Sequence, residues 1–319
     1  MHNQSPLRIT AFYDTRPGHV KQTRGLIQAL KEFTPVQVTD VFLPHYNLSK
    51  IFHDWLGFMG GKPERKNSDP AKPDLILGTG THTHIPMLLH RRRHGGRVVT
   101  CMTPEWPLGK YMDLCFIPEH DTPKAADNIV TTVGPPNTAV NRNIHDPLQG
   151  LVVIGGIDSK THHWDNEKMA DQVRRILDIQ PHISWTLSTS PRTPHTMARI
   201  LADLAKTGSN TRFIPFEQTG PGWIENRYAE SSVVWVSADS VSMVYEALSA
   251  GCRVGILPVD WKKKGIRLAR AIALLEKNNK IVSFASFMQN AVYPEHSLLN
   301  EARRCAAKIL ERWWPECLQ

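Results

Sequence analysis

The stretch Val234 to Gly251, VWVSADSVSMVYEALSAG, decides how this chain reads. It opens on an apolar, β-branched run suited to a strand buried on both faces. It turns at Ala238-Asp239-Ser240 and continues as a helix-length segment closed by a glycine. Asp239 or Ser240 then falls at the N-cap, where a side-chain oxygen meets free backbone N–H groups. Capping leaves Ser242 and Glu246 unexplained, and these two, four residues apart, project from the same helix face. A helix start carrying free N–H groups and hydroxyls receives phosphate, and a carboxylate one turn further along can accept both hydroxyls of a ribose. The spacing predicts a nucleoside diphosphate site; a capped helix with a surface Glu is the plainer alternative.

Outward from this stretch, β-branched runs alternate with amphipathic segments. LRITAFY precedes a helix from about Gly18 to Phe33; VQVTDVF, a further helix, DLILG, a helix through Arg91-Arg92-Arg93, and RVVTCM follow. A polar, Pro-containing stretch from Asn137 to Gln149 reads as a linker. A second series then begins: LVVIGG, a helix from about Trp164 to Ile179, ISWTLST, a helix from about Pro194 to Lys206, TRFIPF, the opening strand and helix, and CRVGILPV. Two such series predict two Rossmann-like, doubly wound α/β domains facing across a cleft, with ligands at the carboxyl ends of the strands. The boundaries expected are 1–142 and 143–295, with 296–319 as a terminal helix packing back toward the first domain. That helix sets Leu298, Ala302, Cys305, Ile309 and Trp313 on one face and Arg303, Arg304, Lys308 and Arg312 on the other. Trp313-Trp314 is a pair suited to a lipid interface, although packing is the commoner fate of such a stripe.

The 319 residues suffice for two cores, and 41% hydrophobic with 21% charged residues describes an ordinary globular protein. Lys and Arg exceed Asp and Glu by 38 to 30, a formal +8, so an anionic partner is expected. The basic runs at Arg91 to Arg93 and Lys262 to Lys264 lack aromatic interleaving, which argues against nucleic acid. Five scattered cysteines with no C-x-x-C fit a reducing cytoplasm. No stretch approaches the roughly 20 apolar residues of a membrane span, so the expected place is the cytoplasm, with peripheral contact on the inner face of the membrane.

The segment SADSVSMVYEALSAGCRVGILPV resembles the donor-binding segment of GT-B glycosyltransferases, among them the lipid II N-acetylglucosaminyltransferase and the lipid A disaccharide synthase. The wider resemblance is to the mitochondrial-fission Elm family of glycosyltransferase-like proteins. It rests on Asp14-Thr15-Arg16-Pro17-Gly18-His19 with Gln22, Pro118-Glu119-His120-Asp121, Gly155-Gly156, Thr189 to Pro194, and Asp239 to Ala247, five ordered elements spanning most of the chain. The chain departs from the family at Glu225-Asn226-Arg227-Tyr228, where Asn-Pro-Tyr is more usual.

The resemblance implies a sugar-nucleotide-dependent glycosyltransferase of GT-B architecture. Its donor site would comprise Gly155, Gly156, Thr189, Ser190, Arg192, Thr193, Asp239, Ser240, Ser242, Met243, Glu246 and Lys264. Glu246 would hold the ribose, while Ser240, Ser242, the two glycines and Arg192 would hold phosphates. On the acceptor side stand Arg16, Gly18, Gln22, Gly78, Thr79, Gly80 and His120. His19 and Asp121 are the candidate general bases by residue type and strand-end position, and the sequence does not choose between them. Gly78-Thr79-Gly80-Thr81 lacks both the third glycine of a dinucleotide fingerprint and the Lys of a P-loop, so it reads as a tight turn. His82, His84 and His90 do not match the zinc pattern H-E-x-x-H, and packing or surface roles are expected. No Asp-x-Asp occurs, which suits a metal-independent enzyme without cofactor, the positive side chains stabilising the leaving diphosphate. The expected partners are a nucleotide-sugar, a saccharide or lipid-linked saccharide acceptor such as a lipopolysaccharide core intermediate, and an anionic membrane surface. A sugar-nucleotide 2-epimerase of the same architecture and a non-catalytic scaffold are the alternatives.

Overall fold

The computed structural model describes residues 5–44, 72–208, 210–263, 265–295 and 298–318. The helix expected between VQVTDVF and DLILG lies outside these residues, as does Lys264. Contacts divide the chain into one unit of Met1–Thr138 with Asn300–Gln319 and a second of Ala139–Leu299.

In the first unit, β1 (Leu7–Tyr13) leads into α1 (Pro17–Lys31) and β2 (Val36–Phe42). There follow β3 (Leu75–Thr79), α2 (Thr81–His94), β4 (Arg97–Cys101), β5 (Leu114–Pro118) and β6 (Ile129–Thr132). All six strands are parallel, in the order β2-β1-β3-β4-β5-β6. The apolar runs are buried because helices cover both faces of the sheet. Leu26 and Leu30 of α1 lie on one face, and Ile85, Met87 and Leu88 of α2 on the other. The chain leaves β1 toward β2, then returns to β1's other edge as β3. The loops after β1 and β3 therefore part in opposite directions, and this switch point opens a crevice at the strand ends.

The second unit repeats the scheme. β7 (Asp146–Val153), β8 (His162–His163), α3 (Asn166–Ile179), β9 (Ser184–Ser188), α4 (His195–Thr207) and β10 (Thr211–Ile214) precede α5 (Trp223–Glu230). Then come β11 (Ser231–Ser237), α6 (Val241–Ser249), β12 (Arg253–Leu257), β13 (Asp260–Trp261), α7 (Arg267–Lys277), β14 (Val282–Ser283) and α8 (Phe284–Asn290). The main sheet runs β10-β9-β7-β11-β12-β14, again parallel, and its switch point falls between β7 and β11. Trp185 and Trp235 fill its core, each resting on a glycine of the neighbouring strand: a Cβ on Gly150 would stand 2.5 Å from the Trp185 ring, and one on Gly255 2.6 Å from that of Trp235.

The final helix, α9 (Glu301–Trp313), packs on the first unit, burying Ala302, Cys305, Ala306, Ile309 and Leu310 against the α1 face. It starts later than the apolar stripe suggests. Asn300 caps it, accepting from the Arg303 N–H at 2.9 Å, and Leu298 stands 58% exposed ahead of the first turn. Trp313 and Trp314 are half-buried against the same core instead of facing outward as a lipid-interface pair. The basic face is also engaged. Arg303 lies over the Phe33 ring and pairs with Glu32, Arg304 with Glu301, Lys308 with Glu311, and Arg312 donates to the Asp127 carbonyl.

Candidate functional site

Each switch point gathers one cluster. After β1, the Asp14 carboxylate turns inward, its side chain 4% exposed. Its Oδ1 accepts the Arg16 N–H at 3.0 Å, and its Oδ2 stands 2.6 Å from His19 Nδ1. A carboxylate only accepts, so Nδ1 donates, and the lone pair of the neutral ring falls on Nε2. The imidazole lies directly on Gly80, which follows β3: a Cβ there would sit 2.3 Å from Nδ1, and Gly80 has φ +92°. Gly80 is thus kept small to seat a histidine, whereas a Cβ on Gly78 would meet Met87 and Thr83 of α2. By contrast, a Cβ on Gly18 would meet none of the described residues within 4 Å, and its φ is not positive, so neither space nor backbone requires its glycine. Thr79 shares a hydroxyl contact with Thr23 at 2.9 Å, and the Gln22 amide oxygen is buried without a partner among the described residues.

The other candidate base is occupied. The Asp121 carboxylate, 3% exposed, accepts from Thr103 Oγ1 at 3.1 Å and lies 3.6 Å from His120 Nε2. It follows β5, three strands from β1. At about 4.8 Å per strand, roughly 14 Å separates the two strand ends, so His19 and Asp121 do not serve one proton. His84, read from sequence as a packing residue, is wholly buried and joined through Nε2 to Thr100 Oγ1 at 3.2 Å. Burial, and secondarily the charge of His19, pushes it down to about 4.

In the second unit the ends of three adjacent strands, β9, β7 and β11, converge. Here the phosphate role expected of the double glycine is corrected, because both amides are spent within the fold. The Gly155 N–H donates to Ser237 Oγ at 2.7 Å and the Gly156 N–H to Asp239 Oδ2 at 3.0 Å. The glycines permit close approach instead: a Cβ on Gly155 would stand 2.1 Å from Asp239 Oδ2, and one on Gly156 2.0 Å from the Arg192 carbonyl oxygen. Thr189, Ser190 and Thr193 brace the same junction. Thr189 Oγ1 accepts the Phe216 N–H at 2.8 Å, Ser190 Oγ donates to the Gly155 carbonyl at 2.8 Å, and Thr193 Oγ1 reaches the same carbonyl. Their hydroxyls hold loops, where a ligand role was expected.

The capping expectation is corrected too. Ser240 is the N-cap residue of α6, yet it makes no side-chain bond to the helix. Its hydroxyl oxygen accepts from Arg192 Nη2 at 3.1 Å, and the Asp239 carboxylate accepts from the same Nη2 at 2.8 Å. The helix amides at Val241 and Ser242 are left uncapped among the described residues, since the Ser240 carbonyl receives its first bonds from Met243 and Val244. Ser242 is exposed and Met243 half-buried. Glu246 is 6% exposed, turned away from bulk water. Its carboxylate, after burial itself, holds the phenol of Tyr228 well above its ordinary range. Tyr228 ends the Glu225-Asn226-Arg227 segment, which forms α5 and buries that phenol completely. A hollow of about 430 Å³ lined by Arg174, Trp185, Leu204 and Thr211 lies at the opposite, amino ends of β9 and β10, away from these groups.

Sequence reasoning missed Asp14 and Ser237 as participants. Asp14 stood in the quoted motif, and its strand-end position five residues before His19 was the available signal. Ser237 stands at the strand end of the opening stretch, but its partner, the Gly155 N–H, lies 82 residues away. Among the described residues no three His, Cys, Asp or Glu side chains converge as a metal site, and no helix is long and apolar enough to cross a membrane.

Two parallel-sheet α/β units with strand-end clusters at their switch points define the GT-B class of fold. The chain belongs to the mitochondrial fission ELM1 family, whose model matches residues 17–313. No curated protein matches it. Among solved structures it is similar to a UDP-GlcNAc 2-epimerase from Neisseria meningitidis bound to UDP-GlcNAc, at 15% identity over 96% of this chain and 98% of that one, TM-score 0.58. It is also similar to S. aureus MnaA in complex with UDP, at 16% identity over 96% of both chains, TM-score 0.50. At such identities the likeness is one of fold.

Proposed function

We propose that this protein moves a sugar from a nucleoside diphosphate sugar to a hydroxyl of a saccharide or lipid-linked saccharide acceptor, without a metal or other cofactor. The observation that carries the reading is the uncapped start of α6 with a guanidinium bonded to its N-cap residue. Two free amides and an arginine fork together match a diphosphate. Glu246, one turn along the helix, accepts the ribose hydroxyls. UDP and UDP-GlcNAc, held by the similar folds, make uridine the first base to try.

His19 is the proposed base. Its Nε2 takes the acceptor hydroxyl proton as the new oxygen–carbon bond forms and the anomeric carbon–phosphate oxygen bond breaks. The electron pair leaves with the diphosphate, where Arg192 and the α6 amides meet the developing charge. Asp14 holds the ring in the tautomer that frees Nε2 and keeps its orientation as the proton arrives. Asp121, engaged by Thr103 and His120, is not part of the step.

A second reading, C2 epimerisation of the donor itself, is favoured by the activity named for the Neisseria fold. It requires proton removal on one face of the sugar and return on the other. A single free imidazole nitrogen fits the transfer better. Incubating the protein with UDP-GlcNAc alone separates the readings: the C2 epimer forming without acceptor decides for epimerisation. Thermal shifts with uridine, cytidine, guanosine and thymidine diphosphates test the site. A true ligand at 100 times Kd adds about 2.7 kcal/mol, and the gain should shrink in Glu246→Ala. If none of the four stabilises the chain, the enzyme reading fails and the scaffold alternative stands.

A further inference from the structure

The Asp239 carboxylate is wholly buried, its side chain 0% exposed, beside an arginine whose side chain is 42% exposed. An acid at a phosphate site is unexpected, because it repels the ligand and offsets the charge of the arginine. Its contacts show what it does instead. One oxygen, Oδ2, receives the Gly156 N–H at 3.0 Å, Arg192 Nη2 at 2.8 Å and the Ser240 hydroxyl at 3.3 Å. These three donors come from the ends of β7, β9 and β11. The other oxygen, Oδ1, is buried with no partner among the described residues. Such an unfilled buried acceptor is costly, and nothing about helix capping requires it, since Ser240 is the N-cap residue. Arg192 Nη1 and Nε carry no described hydrogen bond, so the guanidinium is gripped by one corner and keeps its remaining donors.

We propose that Asp239 is a positioning residue: it touches no part of the ligand, and it fixes Arg192 beside the uncapped α6 amides so that the free donors of the guanidinium meet the second phosphate of a nucleoside diphosphate. This rests on the donor-site reading above. The idea separates cleanly from a charge effect, because the two give opposite signs. Asp239→Asn removes one negative charge from the site, which by Coulomb attraction alone tightens anion binding. It also replaces the oxygen that holds Arg192 with a group offering donors of its own, which frees the guanidinium and weakens binding.

The test is titration calorimetry of UDP and UMP against the full chain, the Asp239→Asn and Arg192→Ala variants, and the double variant. Wild type is expected to prefer UDP over UMP. Asp239→Asn should weaken UDP about tenfold to hundredfold, the range for one bond to a charged group, and move UMP far less. In the Arg192→Ala background the same change should shift UDP less than about threefold, because two residues acting through one guanidinium are not additive. Should Asp239→Asn fail to fold, Ser240→Ala removes the 3.1 Å bond to Nη2 and enters the same cycle with the same expected loss of coupling. Tighter or unchanged UDP binding in Asp239→Asn, or full additivity in the cycle, overturns the positioning role. Absence of UDP binding in wild type overturns the donor-site reading as well, so the two failures are told apart.

Discussion

Gly80→Ala is the sharpest probe of the proposed base. The new methyl would lie 2.3 Å from His19 Nδ1, 2.4 Å from Cε1 and 3.2 Å from Asp14 Oδ2. Ordinary contact needs about 3.5 Å, so the imidazole must retreat by more than about 1 Å, and the 2.6 Å bond to Asp14 cannot survive that movement. A displacement of this size at a reacting group costs on the order of 100-fold in rate. Separately, alanine at φ +92° and ψ 156°, a region essentially reserved for glycine, carries a backbone cost of about 1–3 kcal/mol. The expected result is a kcat with UDP-sugar and acceptor reduced about 100-fold, UDP affinity unchanged because Gly80 belongs to the other unit, and a modest loss of stability to urea. Gly18→Ala is the control. Its methyl meets none of the described residues within 4 Å and its φ is not positive, so it should leave turnover intact and raise stability by up to about 1 kcal/mol. Histidine ring nitrogen NMR should show His19 protonated at Nδ1 in wild type and Gly18→Ala. A Gly80→Ala protein with full turnover refutes the role given to His19.

Three more outcomes are expected. His84 binds a proton near pH 6.5 when unfolded but only at about 4 when folded, so the unfolded state holds more protons in between and stability falls as pH drops through that window. The loss is roughly 3 kcal/mol; denaturation of wild type and His84→Gln at pH 7 and 4.5 should show a shallower decline in the variant, and parallel declines exclude this account. Gly156→Ala places a methyl 2.0 Å from the Arg192 carbonyl oxygen and 2.5 Å from the Thr193 nitrogen. Both are backbone atoms, so the turn must shift, at about 1–3 kcal/mol of stability and at least about tenfold in UDP affinity, the worth of one mispositioned bond. Asn300→Ala removes the α9 cap and should cost about 1 kcal/mol in a denaturant titration, with UDP affinity unaltered.

The fold was legible because fully buried parallel strands read as continuous apolar runs, and LRITAFY, DLILG, RVVTC and VVWVS all became strands. The positions of the strand ends were legible for the same reason, and the switch points then follow from topology. Short elements escaped: β6 has 4 residues and α5 has 8, too few for a periodicity to declare itself. Within the site, residue types were legible and their partners were not. Gly155 and Gly156 look alike whether their amides face a phosphate or a serine and an aspartate. The choice is made by residues 82 and 83 positions away, a separation over which sequence carries no periodic signal. Ser240 looked like a cap because the cap geometry is local, whereas its competitor, Arg192, arrives from another strand.

Both units place a buried aspartate just past a strand end, Asp14 and Asp239. Each lies against a glycine of a neighbouring strand end, Gly80 or Gly155, and each grips a side chain that is less buried, His19 or Arg192. The consequences differ. Beside the histidine the carboxylate accepts from Nδ1 and fixes which way the ring faces. Beside an arginine, which is always charged, it cancels a charge, so the Arg192–Asp239 pair is neutral when viewed from a distance. On the proposed reading, attraction for a diphosphate then comes from close-range bonds, the α6 amides and the remaining guanidinium donors, and not from a long-range field, despite the chain's +8. Salt screens long-range fields far more than short bonds in a partly buried site. UDP affinity measured from about 50 mM to about 500 mM sodium chloride should therefore change less than about threefold, although the Debye length shrinks from about 14 to about 4 Å. A decline of tenfold or more would mean that exposed lysines such as Lys263, and not the pair held by Asp239, bring the diphosphate in.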